Sequence, residues 1–180
     1  MRFTLVYDGK LKANGKPKHK QQIRRVLHEQ LAELWKEAPD GLRVPGDNLC
    51  RRLGAWRFFP LASSLRDETV EISIIMLRPG LGAGCLIGHG GDIDNRLKTL
   101  FDSFRVPQDP AELPARDTPA AGENPLFCLL EDDRLITSLS VVTDRLLDPR
   151  MQSPDVVKLF IQVQVRKNQR IGGNMVGRLA

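Results

Sequence analysis

The stretch Gly90–Phe104, Gly-Gly-Asp-Ile-Asp-Asn-Arg-Leu-Lys-Thr-Leu-Phe-Asp-Ser-Phe, concentrates the residues best suited to chemistry. Asp92 and Asp94 stand one residue apart after two glycines. Lys98 follows Asp94 by four positions and Asp102 follows Lys98 by four, so all three share one helical face. A second acidic group, Glu131-Asp132-Asp133, is wedged between two apolar runs. Carboxylates are hard oxygen donors for divalent cations. Several of them meeting near a single ammonium is the chemistry of a metal-dependent phosphodiesterase site.

Each piece also has an ordinary structural use. Aspartate caps helix N-termini, and acids in a first turn complement the helix dipole. An acidic pair between strands often makes a turn. A cap needs only one of Asp92 and Asp94, however, and a turn does not need three consecutive acids. Other chemistries fit less well. In phosphatases with an Asp-x-Asp nucleophile the motif ends a hydrophobic strand, whereas here Gly-His-Gly-Gly precedes it and a helix follows. An EF-hand loop requires a glycine after Asn95, which is absent. The glycine-rich run from Arg78 to Gly91 lacks the GxxxxGK[ST] pattern of a nucleotide P-loop and reads as a mobile loop entering the site.

The elements that hold these groups follow from periodicity. Ile93, Leu97, Leu100, Phe101 and Phe104 form the apolar stripe of the motif helix, which ends near Val106-Pro107. Ile23, Val26, Leu27, Leu31, Leu34 and Trp35 form that of a second helix over 21–37. Strands are predicted at 2–7, 55–60, 69–77, 126–130, 135–143 and 156–165. The strands at 55–60 and 69–77 are expected to form a hairpin through Leu65-Arg66-Asp67. Residues 38–52 read as a loop. Residues 107–125, rich in proline, read as an ordered excursion or a disordered flap. The expected fold is α+β, a mixed β-sheet packed against two main helices. It forms one domain over 1–165, with a basic, mobile tail over 166–180.

Composition narrows the function classes. The chain has 180 residues, a net charge of +5 and a pI near 9.4. Residues 1–60 carry 13 Lys and Arg against 6 Asp and Glu, residues 61–164 carry 10 against 16, and residues 165–180 carry 4 against none. An acidic middle between basic ends suits metal ligands flanked by phosphate contacts. Lys16, Lys18, Lys20, Arg24 and Arg25, with Lys10 and Lys12 before them, form the densest positive run. No apolar run approaches the length of a membrane span. Cys50, Cys85 and Cys128 match neither a zinc spacing nor a disulfide framework, so a reduced, cytoplasmic protein is expected.

Asp92-Ile93-Asp94-Asn95, Lys98 and Asp132-Asp133 together resemble the RusA-type Holliday junction resolvases. That family has an Asp-x-Asp-Asn segment opening a helix, a lysine one turn on, and an Asp-Asp pair after a hydrophobic strand. The resemblance implies a compact α/β homodimer with Mg²⁺-dependent (or Mn²⁺-dependent) endodeoxyribonuclease activity on four-way DNA junctions. It implies Asp92, Asp94 and Asp133 as metal-binding acids, Asp132 as a further candidate ligand, and Lys98 as the catalytic cation beside the scissile phosphate. Family members carry arginines just before the first aspartate. Here His89, Gly90 and Gly91 stand there, and the basic segment from Lys10 to Arg25, with Arg96, is the candidate DNA-binding surface. Two alternatives remain open: a junction-binding protein that does not cut, and another metal-dependent phosphoesterase.

Overall fold

The structure is a computed structural model and describes residues 1–36, 48–80, 93–148, 153 and 155–167. The strongest alternation in the chain forms its centre. Strands β4 (Glu68–Arg78) and β7 (Val156–Lys167) pair antiparallel, with Ile72 opposite Val163 and Ile74 opposite Ile161. Every second side chain turns inward, which a period of two dictates. Val70, Ile72, Ile74 and Met76 are thereby buried with Val157, Leu159, Ile161 and Val163. Strand β1 (Arg2–Lys10) pairs antiparallel with the other side of β7. Strand β6 (Ile136–Arg145) runs parallel to β4, giving the order β1-β7-β4-β6. The buried face shares one core with Ile23, Leu27 and Leu31 of helix α1 (Pro17–Lys36) and with Ile93, Leu100 and Phe104 of helix α2 (Ile93–Phe104).

A second sheet has the order β2-β3-β5, from Arg51–Leu53, Trp56–Ala62 and Leu126–Leu130. Its satellite core holds Trp56, Phe58, Val106, Leu126 and Cys128. Complete burial pushes the Cys128 thiol up to about 12, so it is an inert apolar group. The chain is therefore α+β, two helices on two mixed sheets. No helix among the described residues is long and apolar enough to cross a membrane.

The two sheets join at a corner. Strand β3 continues into β4 through a 3₁₀ turn at Ser64–Arg66, and β5 continues into β6 through another at Asp133–Leu135. Because β3 is parallel to β5 and β4 to β6, each pair is one long bent ribbon, and the bends lie side by side. This corrects the hairpin expected at Leu65-Arg66-Asp67. The Ser63 hydroxyl accepts the Leu65 N–H, and Asp67 leaves the turn in the left-handed region at φ 54°. That geometry redirects the strand into the other sheet instead of reversing it.

Other boundaries shift for local reasons. Helix α1 begins at Pro17, because proline at a first helical position lacks only an N–H that would go unused. The Lys16 carbonyl then accepts the N–H groups of His19 and Lys20. Val26, assigned to the apolar face, is exposed at its margin. Trp35 is packed edge-on against Phe59, as its spacing implies. Residues 107–125 form an ordered excursion. Trp56 Nε1 donates to the Asp117 carbonyl, and Arg25 binds Asp117, the Thr118 carbonyl and Glu123. Of the expected tail, Arg166 and Lys167 extend β7 and the rest lies outside the described residues, as do residues 81–92 of the glycine-rich loop.

Candidate functional site

Helix α2 carries the first acidic group. Ile93, Leu100 and Phe104 face the core, which leaves Asp94 and Lys98 exposed on the opposite side. Asp94 lies in the first turn, where a carboxylate also complements the helix dipole. Asp92 lies outside the described residues. The turn Asp133–Leu135 packs against both α2 and β4, so the second acidic group comes to the motif helix.

The three acids of that second group differ in what they do. The Glu131 carboxylate accepts from Ser63 Oγ at 2.8 Å, Ser64 N at 2.8 Å and Ser64 Oγ at 2.9 Å. Burial raises its pKa, but these three donors outweigh burial and hold it below the ordinary value. Glu131 thus pins the two bends together. Asp132 caps its turn by accepting the Arg134 N–H, and it pairs with the Arg134 guanidinium at 2.9 Å. The Arg134 hydrogen bond is the main reason its pKa is lowered. Asp133 is exposed at the first position of the turn. Among the described residues, Asp94 and Asp133 are therefore the exposed carboxylates of the candidate set. Among the described residues, no three His, Cys, Asp or Glu side chains converge as a metal-binding group.

The candidate DNA-binding cations divide sharply. Arg24 and Arg96 are each 1% exposed. Arg24 donates to the carbonyls of Asp102 and Arg105, at the C-terminal end of α2. Arg96 donates to the Leu11 carbonyl and pairs with Asp155 at 2.9 Å. Lys20 pairs with Asp102 at 2.6 Å, and Arg25 is held by Asp117 and Glu123. Asp102, on the motif helix face, is consequently spent on Lys20 and Arg105. Burial raises the Asp102 pKa, but these cations outweigh it and keep the group ionised. Lys16 and Lys18 remain exposed and line a cavity together with Lys10 and Lys12.

Tyr7, Asn14 and Gln22 line the same cavity but do not stand out in the sequence. The usable signal was Asn14-Gly15. Asn14 takes φ 53°, and the resulting turn lays the basic loop on α2. Comparison with protein-family models, curated proteins and solved structures finds no match.

Proposed function

We propose that the chain is a divalent-metal-dependent endodeoxyribonuclease of the RusA kind, cutting four-way DNA junctions. One observation supports this most: the turn at Asp133–Leu135 packs against the helix that exposes Asp94 in its first turn and Lys98 in its second. The donor set suits a hard cation, since carboxylate oxygens favour Mg²⁺ or Mn²⁺. Asp94 and Asp133, with Asp92, would hold it. The ion would supply charge neutralisation at the phosphate and a more acidic water. Lys98 has no lone pair for a metal, so its part is to donate to a phosphate oxygen. Glu131 and Asp132 hold the turn in place through Ser63, Ser64 and Arg134.

Paired cuts need two sites, which a two-fold dimer supplies. Strand β6 supports this part of the reading. Among the described residues nothing pairs with its outer edge. From Ile136 to Thr143 it carries no charge, and Leu139 and Val142 are exposed. Natural edges are usually blunted by charge or proline, and a run of eight uncharged residues suits antiparallel pairing with a second copy.

The test is cleavage of a labelled four-way junction in Mg²⁺ and in EDTA by wild type, Asp94→Asn and Asp133→Asn. Cleavage only with metal, abolished in both variants while junction binding persists, is the expected result. Wild-type rates in either variant would remove that residue from the site. Binding without any cleavage by wild type would favour a junction-binding protein.

A further inference from the structure

A cavity of about 700 Å³ opens between the end of β1, the loop after it and the first turn of α1. Four exposed lysines surround it: Lys10, Lys12, Lys16 and Lys18. Among the described residues none of the four has an ion-pair partner, because the acids close by are committed elsewhere. Asp102 pairs with Lys20, Asp155 with Arg96 and Asp8 with Lys158. The first turn of α1 holds no acid, so the positive end of its dipole adds to the lysines.

A solubilising loop would be loosely held. This one is tied down at almost every residue. Tyr7 Oη donates to the Lys10 carbonyl at 2.6 Å, and the Leu11 N–H donates to the Asp155 carbonyl at 2.7 Å. The Leu11 carbonyl accepts from the buried Arg96. The Lys12 N–H donates to His19 Nε2 at 3.2 Å, and the Gly15 N–H to Thr99 Oγ1 at 2.8 Å. Gly15 is pressed so close to α2 that a Cβ there would meet Thr99 Cγ2 at 2.5 Å and His19 Cδ2 at 2.8 Å. The lysines thus sit on backbone fixed to the helix that carries Asp94 and Lys98. Four like charges around a concave surface attract an anion most strongly at low ionic strength, where they are least screened.

We propose that this cavity seats one nucleotide unit of a nucleic-acid strand, its phosphates held by Lys10, Lys12, Lys16 and Lys18. The volume falls within the range of pockets that enclose a single small ligand. The placement of the seat along a DNA substrate rests on the endonuclease reading; the seat itself does not.

The probe is thymidine 3′,5′-bisphosphate, measured by calorimetry in EDTA, with thymidine and ATP as comparisons. A fluorescent oligothymidylate is titrated across a salt series in parallel. One saturable site for the bisphosphate, none for thymidine, and displacement of the oligonucleotide are expected. The triple variant Lys12→Gln, Lys16→Gln, Lys18→Gln should keep its melting temperature and lose at least tenfold in affinity. Its log–log salt slope should shrink by about 1.4, since the seat holds two phosphates and each lost single-strand phosphate contact removes about 0.7. Gly15→Ala keeps all four lysines but forces the loop off Thr99, so a built seat loses the bisphosphate there too, with folding checked by circular dichroism.

Unchanged binding in the triple variant, or no bisphosphate binding by wild type, overturns the proposal. Full binding by a folded Gly15→Ala protein overturns it in favour of diffuse charge. ATP bound more tightly than the oligonucleotide replaces a strand with a free nucleotide and overturns it likewise. Junction cleavage without bisphosphate binding sinks the seat alone, and bisphosphate binding without cleavage sinks the endonuclease reading alone.

Discussion

Replacing Arg24 with methionine separates a structural cation from a DNA-binding one. Arg24 stands in the densest basic run of the sequence, yet it is 1% exposed. Its guanidinium donates to the Asp102 carbonyl at 2.5 Å, the Arg105 carbonyl at 3.3 Å and Gln21 Oε1 at 3.3 Å. The Asp102 carbonyl belongs to the last turn of α2, which no further helical N–H can satisfy. Arg24 is thus a side-chain cap, with its positive charge at the negative end of the dipole. Methionine keeps most of the buried stem and donates nothing. Hydrogen bonds from a charged donor contribute about 1.5–3 kcal/mol each, and the carbonyls left behind are partly buried. Relief of the arginine's own desolvation and the added apolar burial offset part of this. The expected loss is about 2–4 kcal/mol, or roughly 10 °C in melting temperature for a chain of this size. Lys18→Met, on the exposed side of the same helix, should stay within about 0.5 kcal/mol of wild type. Thermal and urea denaturation measure both stabilities, and a junction-binding salt series reports whether either cation contacts phosphate. An Arg24→Met protein that melts with wild type but loses affinity and salt slope would refute the capping argument and return Arg24 to the DNA-binding surface.

Three further outcomes are expected. His28 is held neutral, mainly by burial, with its Nδ1 accepting the Phe127 N–H at 2.9 Å and its Nε2 facing the Gly122 carbonyl. Its folded pKa lies below the ordinary 6.5, so the unfolded chain takes the proton first as pH falls. Stability should therefore decline below pH 6.5 until the folded pKa is reached; a His28→Gln variant with the same decline in urea midpoint would exclude His28 as its source. Glu131→Gln should cost about 1–3 kcal/mol, because three donors lose a charged acceptor, while cleavage at saturating protein persists. Lost cleavage at unchanged stability would instead place Glu131 among the ligands. Val142→Lys, on the open edge of β6, should convert a dimer into a monomer in sedimentation at micromolar concentration; a wild type already monomeric while cutting would refute self-pairing.

The parts of the fold legible in the sequence are those where one period dominates. Strands β4 and β7 bury one face each, so Val70 to Met76 and Val157 to Val163 alternate cleanly. Helix α2 has an equally plain stripe. The corner between the sheets was not legible, because Leu65-Arg66-Asp67 suits a reversal and a redirection alike. Only the pairing of β3 with β5 and β4 with β6, about seventy residues apart in sequence, decides between them. The basic run shows the same limit. Lys18 and Arg24 look alike as charges, but α1 turns one toward solvent and the other onto the end of α2. Asp102 shares a helical face with Asp94 yet meets Lys20 and Arg105 in place of the other acids. Charge is visible in sequence, whereas its partner is a property of the packed chain.

The strand order has a kinetic consequence. β7 lies between β1 and β4, and among the described strands β1 pairs only with β7. Among the described strands, β1 therefore has no sheet neighbour until residues 156–167 have been made. Arg2 and Gln164 must find each other across most of the chain, and both parallel pairings span long loops as well. Such non-local contacts slow folding, since the entropy of closing each loop is lost before the contact forms. Before β5 to β7 are made, the described elements that can form are local ones: α1, α2 and the β2–β3 pair. The apolar strand β4 waits for β6 at residues 136–145 and β1 waits for β7, which makes nascent chains the species most exposed to aggregation and to chaperone capture.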